Sequence, residues 1–64
     1  MKILTVVATL RAFSERHVRK GQVGTVVEQL DRDNVLVEFA DSNGEAFSVI
    51  PIPVQQLIER GESS

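Results

Sequence analysis

Apolar and polar positions alternate along most of this chain, and turns fall where the alternation stops. Val35-Leu36-Val37-Glu38-Phe39 shows the rule most plainly. In an extended chain successive side chains point to opposite sides, so Val35, Val37 and Phe39 share one face and Glu38 takes the other. This predicts a strand with the two valines and the phenylalanine inward. Before it, Gly21 to Leu30 predicts another strand, committed by the β-branched run Thr25-Val26-Val27. Asp31-Arg32-Asp33-Asn34 joins the two as a polar hairpin turn. After it, Asp41-Ser42-Asn43-Gly44 is the strongest turn signal, because Asn43 and Gly44 both tolerate a positive φ. Glu45 to Ile50 predicts a fourth strand, with Phe47 and Val49 on one face and Ala46, Ser48 and Ile50 on the other. Pro51-Ile52-Pro53 offers too few donors for a central strand, which predicts that the meander ends there. Val54 to Leu57 fits a single 3₁₀ or helical turn, and Leu57-Ile58-Glu59 fits a short fifth strand beside the first.

The N-terminal third is patterned less cleanly. Lys2 to Leu10 predicts the first strand, but its apolar residues run almost without a break. Of its two faces, Leu4, Val6, Ala8 and Leu10 form the more apolar set and are expected inward. Ile3, Thr5, Val7 and Thr9 are then outward. Arg11 to Lys20 shows no 3.6-residue stripe, although Ser14 could cap a helical turn. The expectation is a long irregular loop with one turn at Ser14–His17, anchored by Phe13 and Val18. A helix across 10–20 is the competing reading.

These elements sum to an all-β, small five-stranded SH3-like barrel, with a long loop after strand 1 and a short 3₁₀ turn before the last strand. An OB fold would need a helix between the third and fourth strands, and Asp41–Glu45 has no room for one. Residues 1–60 form the single domain, and 61–64 are a polar tail expected to be frayed.

Composition supports strands and narrows the chemistry. Valine occurs ten times among 64 residues, against three phenylalanines and neither tryptophan nor tyrosine. There is no cysteine and one histidine, so neither a disulfide nor a thiolate or multi-histidine metal site can form within one chain. No cofactor is expected, and a cysteine-free chain suits the cytoplasm. Met1 to Ala8 has the outline of a signal peptide, but Thr5 and Thr9 interrupt it and Arg11 follows at once. No run approaches the roughly 20 apolar residues of a membrane span, so no membrane partner is expected. The net charge of −2 hides a split. Residues 1–20 sum to +4, with Lys2, Arg11, Arg16, Arg19 and Lys20 against Glu15; residues 21–64 sum to −6. Such asymmetry suits a basic contact surface or self-association.

The run Val18-Arg19-Lys20-Gly21-Gln22-Val23-Gly24-Thr25-Val26-Val27-Glu28, with Val37-Glu38-Phe39-Ala40-Asp41, Asn43-Gly44 and Pro53-Val54-Gln55-Gln56-Leu57, resembles a family of small bacterial proteins. That family is rich in cyanobacteria and known only as a domain of unknown function. The likeness covers about residues 3–58 and departs from the family pattern at Thr5 and in Arg16-His17-Val18-Arg19. It implies the fold and no activity. A shorter likeness, in Gly21, Gly24 and Val26, is to the KOW motif of ribosomal and transcription-elongation proteins, where a Gly-x-x-Gly-x-Val core sits at a tight turn of an SH3-like barrel.

Arg11, Arg16, His17, Arg19 and Lys20 are the candidate interaction surface. Guanidinium and ammonium groups can neutralise phosphates, which gives the alternative reading of KOW-like RNA binding through residues 11–20. Nucleic acid is the less favoured partner, because single-strand binders add stacking aromatics and an acidic body repels a polyanion. Catalysis is not expected: His17 has only Glu15 as a local carboxylate, and Ser14, Ser42 and Ser48 have no triad context. Gly21-x-x-Gly24 is followed by a strand instead of a helix N-terminus, so it is not a phosphate loop. Gly21, Gly24, Asn43 and Gly44 are assigned to turns. The expected function is a non-catalytic protein–protein interaction module, accessory or antitoxin-like, with an unknown protein partner and self-association into a homo-oligomer.

Overall fold

The computed structural model describes residues 1–60, so the tail at 61–64 lies outside the described residues. Five antiparallel strands form one sheet in the order β4-β3-β2-β1-β5: β1 Val6–Thr9, β2 Val23–Gln29, β3 Asn34–Ala40, β4 Ala46–Pro53 and β5 Leu57–Glu59. Single 3₁₀ turns occupy Ser14–Arg16, between β1 and β2, and Val54–Gln56, between β4 and β5. The strand order, the long first loop and the 3₁₀ turn before β5 are those of the SH3-like layout. The ladder does not close into a barrel, and β4 and β5 remain its edges.

The core is the inner face of this curled sheet. Val7, Val26, Val35, Val37, Phe39 and Ile52 are fully buried there. Strand β3 behaves as its alternation predicts, with Val35, Val37 and Phe39 in the core and Glu38 exposed. Gly24, expected at a turn, lies instead within β2 on the same inner face, opposite Val7. A Cβ on Gly24 would stand 2.7 Å from Phe39 Cε1 and 2.8 Å from Val37 Cγ1. This glycine is therefore required by close approach, whereas Gly21 is required by its backbone, with φ at +81°. Of Asn43 and Gly44 only Gly44 takes a positive φ. Asp41 holds that turn by accepting the N–H groups of Asn43 and Glu45 on Oδ1, at 2.9 and 3.0 Å.

Three further expectations, on strand lengths and faces, are corrected. Strand β4 does not stop at Ile50 but continues through Pro51, Ile52 and Pro53, paired with Leu36, Val35 and Asn34. An edge strand uses only alternate N–H groups in its ladder. Pro51 and Pro53 share one parity, so both missing donors face the open edge. The first strand is shorter than expected, because Leu4 adopts φ 73° and ends the extended run on its N-terminal side. Its faces are also reversed. Val7 is 0% exposed and Thr9 is buried, while Val6 and Leu10 are 39% and 47% exposed. Thr9 explains the reversal. Its Oγ1 donates to the Arg19 carbonyl at 2.7 Å and accepts from the Gln22 N–H at 3.2 Å. The Gln22 N–H also donates to the Arg19 carbonyl at 3.0 Å, so turning this hydroxyl inward adds a second bond to each of these paired groups where the long loop enters β2, and Val7 follows it by the two-residue period.

Candidate functional site

The basic loop is held by a small bridge of its own. Phe13 N–H donates to the Val18 carbonyl at 2.8 Å, and Val18 N–H returns the bond at 3.2 Å. Val18 enters the core and Phe13 packs against it, as the loop anchors were expected to do. The 3₁₀ turn between them ends at His17, whose φ of 62° reverses the chain.

This geometry divides the five candidate cations. Arg11 lies with its guanidinium 4.0 Å from the centroid of the Phe13 ring and donates to the Ala12 carbonyl. That contact occupies one face of the ring. Arg16 reaches across the molecule, where its Nη2 lies 3.5 Å from the Val49 carbonyl on the open edge of β4. His17, Arg19 and Lys20 are brought together with Ala12, Ser14 and Val18 around an open groove of about 400 Å³. The groove is mixed in character, with three basic side chains at an apolar floor. Gly21 is the pivot just after it. Among the described residues no three His, Asp or Glu side chains gather as a metal site, and no helix is long and apolar enough to cross a membrane.

A second surface was missed by sequence reasoning: the outer face of the sheet. The register aligns Ile58, Ala8 and Val23 as direct neighbours on β5, β1 and β2. Ile58 and Val23 are 53% and 46% exposed, and Ala8 is covered between them. One pair of residues along the strands, a second row runs Val6, Thr25, Glu38 and Val49 across β1, β2, β3 and β4. Arg60 extends this row beyond Val6, whose carbonyl accepts the Arg60 N–H at 2.8 Å. These two rows therefore have an apolar middle with a cation, Arg60, and an anion, Glu38, on opposite flanks; beyond them Glu28, in register with Leu36, places a second exposed anion on the outer side of β2. The sequence signal lies in the nearly unbroken apolar run of β1. With Val6, Val7 and Ala8 apolar and Thr9 suited to either side, no charged position marks the solvent side, and apolar content alone favours the wrong set for the core.

Comparison with curated proteins and with solved structures found no match. A family model does match, over residues 3–59, and with all five strands inside that span the chain belongs to the family described as Domain of unknown function (DUF4926).

Proposed function

We propose that this chain is a non-catalytic protein-binding module that acts through the outer face of β5, β1 and β2, its function being the contact itself in the manner of an accessory or antitoxin-like protein. One observation carries the reading. Val23 and Ile58 project from one row on either side of Ala8, and Val6 projects from the next row of the same face, all with large fractions of their surface in solvent. Isolated exposed apolar side chains are ordinary, but a contiguous patch rimmed by polar residues is a common mark of an interaction site.

The test uses the chain as bait in a lysate of its host, in wild-type form and as Val23→Glu, Ile58→Glu and Lys20→Glu. The expected result is a protein recovered by wild type and Lys20→Glu and lost with both outer-face variants. Loss with Lys20→Glu alone would move the binding surface to the basic groove. The groove itself supports the RNA reading through His17, Arg19 and Lys20. Against it, Phe39 is buried and the Arg11 guanidinium lies over Phe13, so few rings are free for stacking. Titration of labelled single-stranded RNA at two salt concentrations separates the two readings. Salt-dependent binding that disappears in an Arg19→Glu, Lys20→Glu variant would put RNA first.

A further inference from the structure

We propose that the outer sheet face binds a second copy of this chain, through a two-fold axis that runs parallel to the strands between β1 and β2. The proposal rests on the reading of that face as a protein-binding surface and names its occupant. The argument is one of register and charge. Two sheets packed face to face by a two-fold axis in the plane of contact exchange positions on either side of the axis. With the axis between β1 and β2, β1 of one copy lies over β2 of the other, and β5 lies over β3.

The rows already described then become self-complementary. The exposed Val23 of each copy lies over the Ala8 position of the other, against the side chains that cover Ala8. In the next row Val6 meets Thr25, and Arg60 meets Glu38. Because the axis repeats every contact, the interface holds two Arg60–Glu38 ion pairs, one on each flank. No other placement of such an axis between neighbouring strands does this. Between β5 and β1 it would put Arg60 over Val6 and Glu38 beyond the sheet. Between β2 and β3 it would put Glu38 over Thr25 and leave Arg60 without an acid.

Side-chain size fits the same arrangement. The sheet curls around its core, so its outer face is convex and two copies touch most closely at the axis. Within these two rows the residues nearest the axis are short: Ala8, Val6, Val23 and Thr25. The longest side chains of the rows, Arg60 and Glu38, stand on the flanks where the two surfaces diverge and a longer reach is needed. Both are exposed in the single chain, so their pairing would form a charged rim around an apolar centre.

Sedimentation velocity from micromolar to millimolar protein tests this, on wild type and on charge-reversed variants of these exposed positions. Wild type is expected to sediment at twice the 7.1 kDa chain mass at the upper concentrations. Glu38→Arg and Arg60→Glu each set like charges against one another at both flanks and should weaken the dimer at least about tenfold. The double variant Glu38→Arg, Arg60→Glu restores opposite charges in exchanged places and should restore the dimer. A melting temperature measured for every variant keeps a loss of fold apart from a loss of contact. A wild-type chain that stays at 7.1 kDa throughout overturns the proposal, and so does a double variant no more dimeric than the singles. If wild type is monomeric but Val23→Glu still abolishes capture of a different host protein, the dimer falls and the reading of the face stands. If Val23→Glu alters neither mass nor capture, both fall.

Discussion

Strands β1 and β3 lie in one sheet with β2 between them, and they divide their apolar residues between the two faces differently. In β3 Val35, Val37 and Phe39 enter the core, and Glu38 marks the outer side, which it shares with a half-buried Leu36. In β1 the apolar residues occupy both faces, with Val7 inside and Val6 outside. The core accounts for every large residue of the first set. It does not account for Val6, Val23 or Ile58, which gain little from burial in the single chain. Apolar side chains that the fold does not use are the ones available to a partner. The comparison thus separates residues that hold the sheet together from residues that the sheet presents.

The sharpest way to break this division is at Gly24, on the inner face. Gly24→Val would drive a side chain into Phe39 and Val37, at a separation already below contact for its first carbon. We expect a loss of about 3 kcal/mol or more, a fall in melting temperature on the order of 15 °C in a domain this small. Val23→Ala, one residue away on the outer face, should change stability by less than about 0.5 kcal/mol. Thermal unfolding of the two variants decides the point; an unchanged melting temperature for Gly24→Val would show that the inner face is not close-packed there.

A finer comparison stays within β1. Val7→Thr places a hydroxyl in the core among Val26, Val37 and their neighbours, and should cost about 2 kcal/mol. Val6→Thr makes the same exchange in solvent and should be nearly neutral. Equal effects in denaturant unfolding would mean that β1 has no inner and outer side.

This pair of residues also shows where sequence patterning stops being informative. For β3 one charged residue in the alternating run fixed both strand and face. The hairpin at Asp31–Asn34, the turn at Gly44, the 3₁₀ turn at Val54–Gln56 and the pairing of Leu57–Glu59 beside β1 were legible for the same reason: each carries residues with a strong local preference. For Val6-Val7-Ala8-Thr9 local preference is silent about the face, since all four suit a strand on either side. The decision rests on Thr9, whose buried hydroxyl is matched to Arg19 and Gln22, residues ten or more positions away. Pro51 and Pro53 exclude a central strand and so end β4 early in the sequence pattern, and only the sheet order shows that they lie on an edge. The outer face depends on both facts, so it could not be assembled from the sequence.

Thr9 is accordingly the next place to press. Thr9→Val keeps the shape and removes the hydroxyl, leaving the Arg19 carbonyl and the Gln22 N–H each without that partner. The expected cost is about 1–2 kcal/mol. Hydrogen exchange should place the added mobility at residues 19–22, where the loop enters β2, more than in β3. Uniform acceleration across the sheet would mean that Thr9 contributes packing and not anchorage.

The smallest expected effect lies at the β2–β3 turn, outside both faces, and it serves as the control for them. The Asp31 carboxylate accepts the Asp33 N–H at 2.8 Å and the Asn34 side-chain amide at 3.0 Å. The backbone bond from Asp33, and then the Asn34 amide, hold its pKa below the ordinary value of 3.8. The native chain therefore binds this proton less readily than the unfolded chain. The resulting stabilisation is present above the ordinary carboxylate pKa and is lost as the pH falls through the lowered native value. Asp31→Asn removes the charge at every pH. Its melting temperature should sit slightly below wild type at about pH 7, and the gap should close in acid as Asp31 of the wild type becomes protonated. A gap that stays constant to the acid end would show that the turn is held by shape alone. The exposed carboxylate at this turn would then contribute no more to the fold than the apolar side chains of the outer face do.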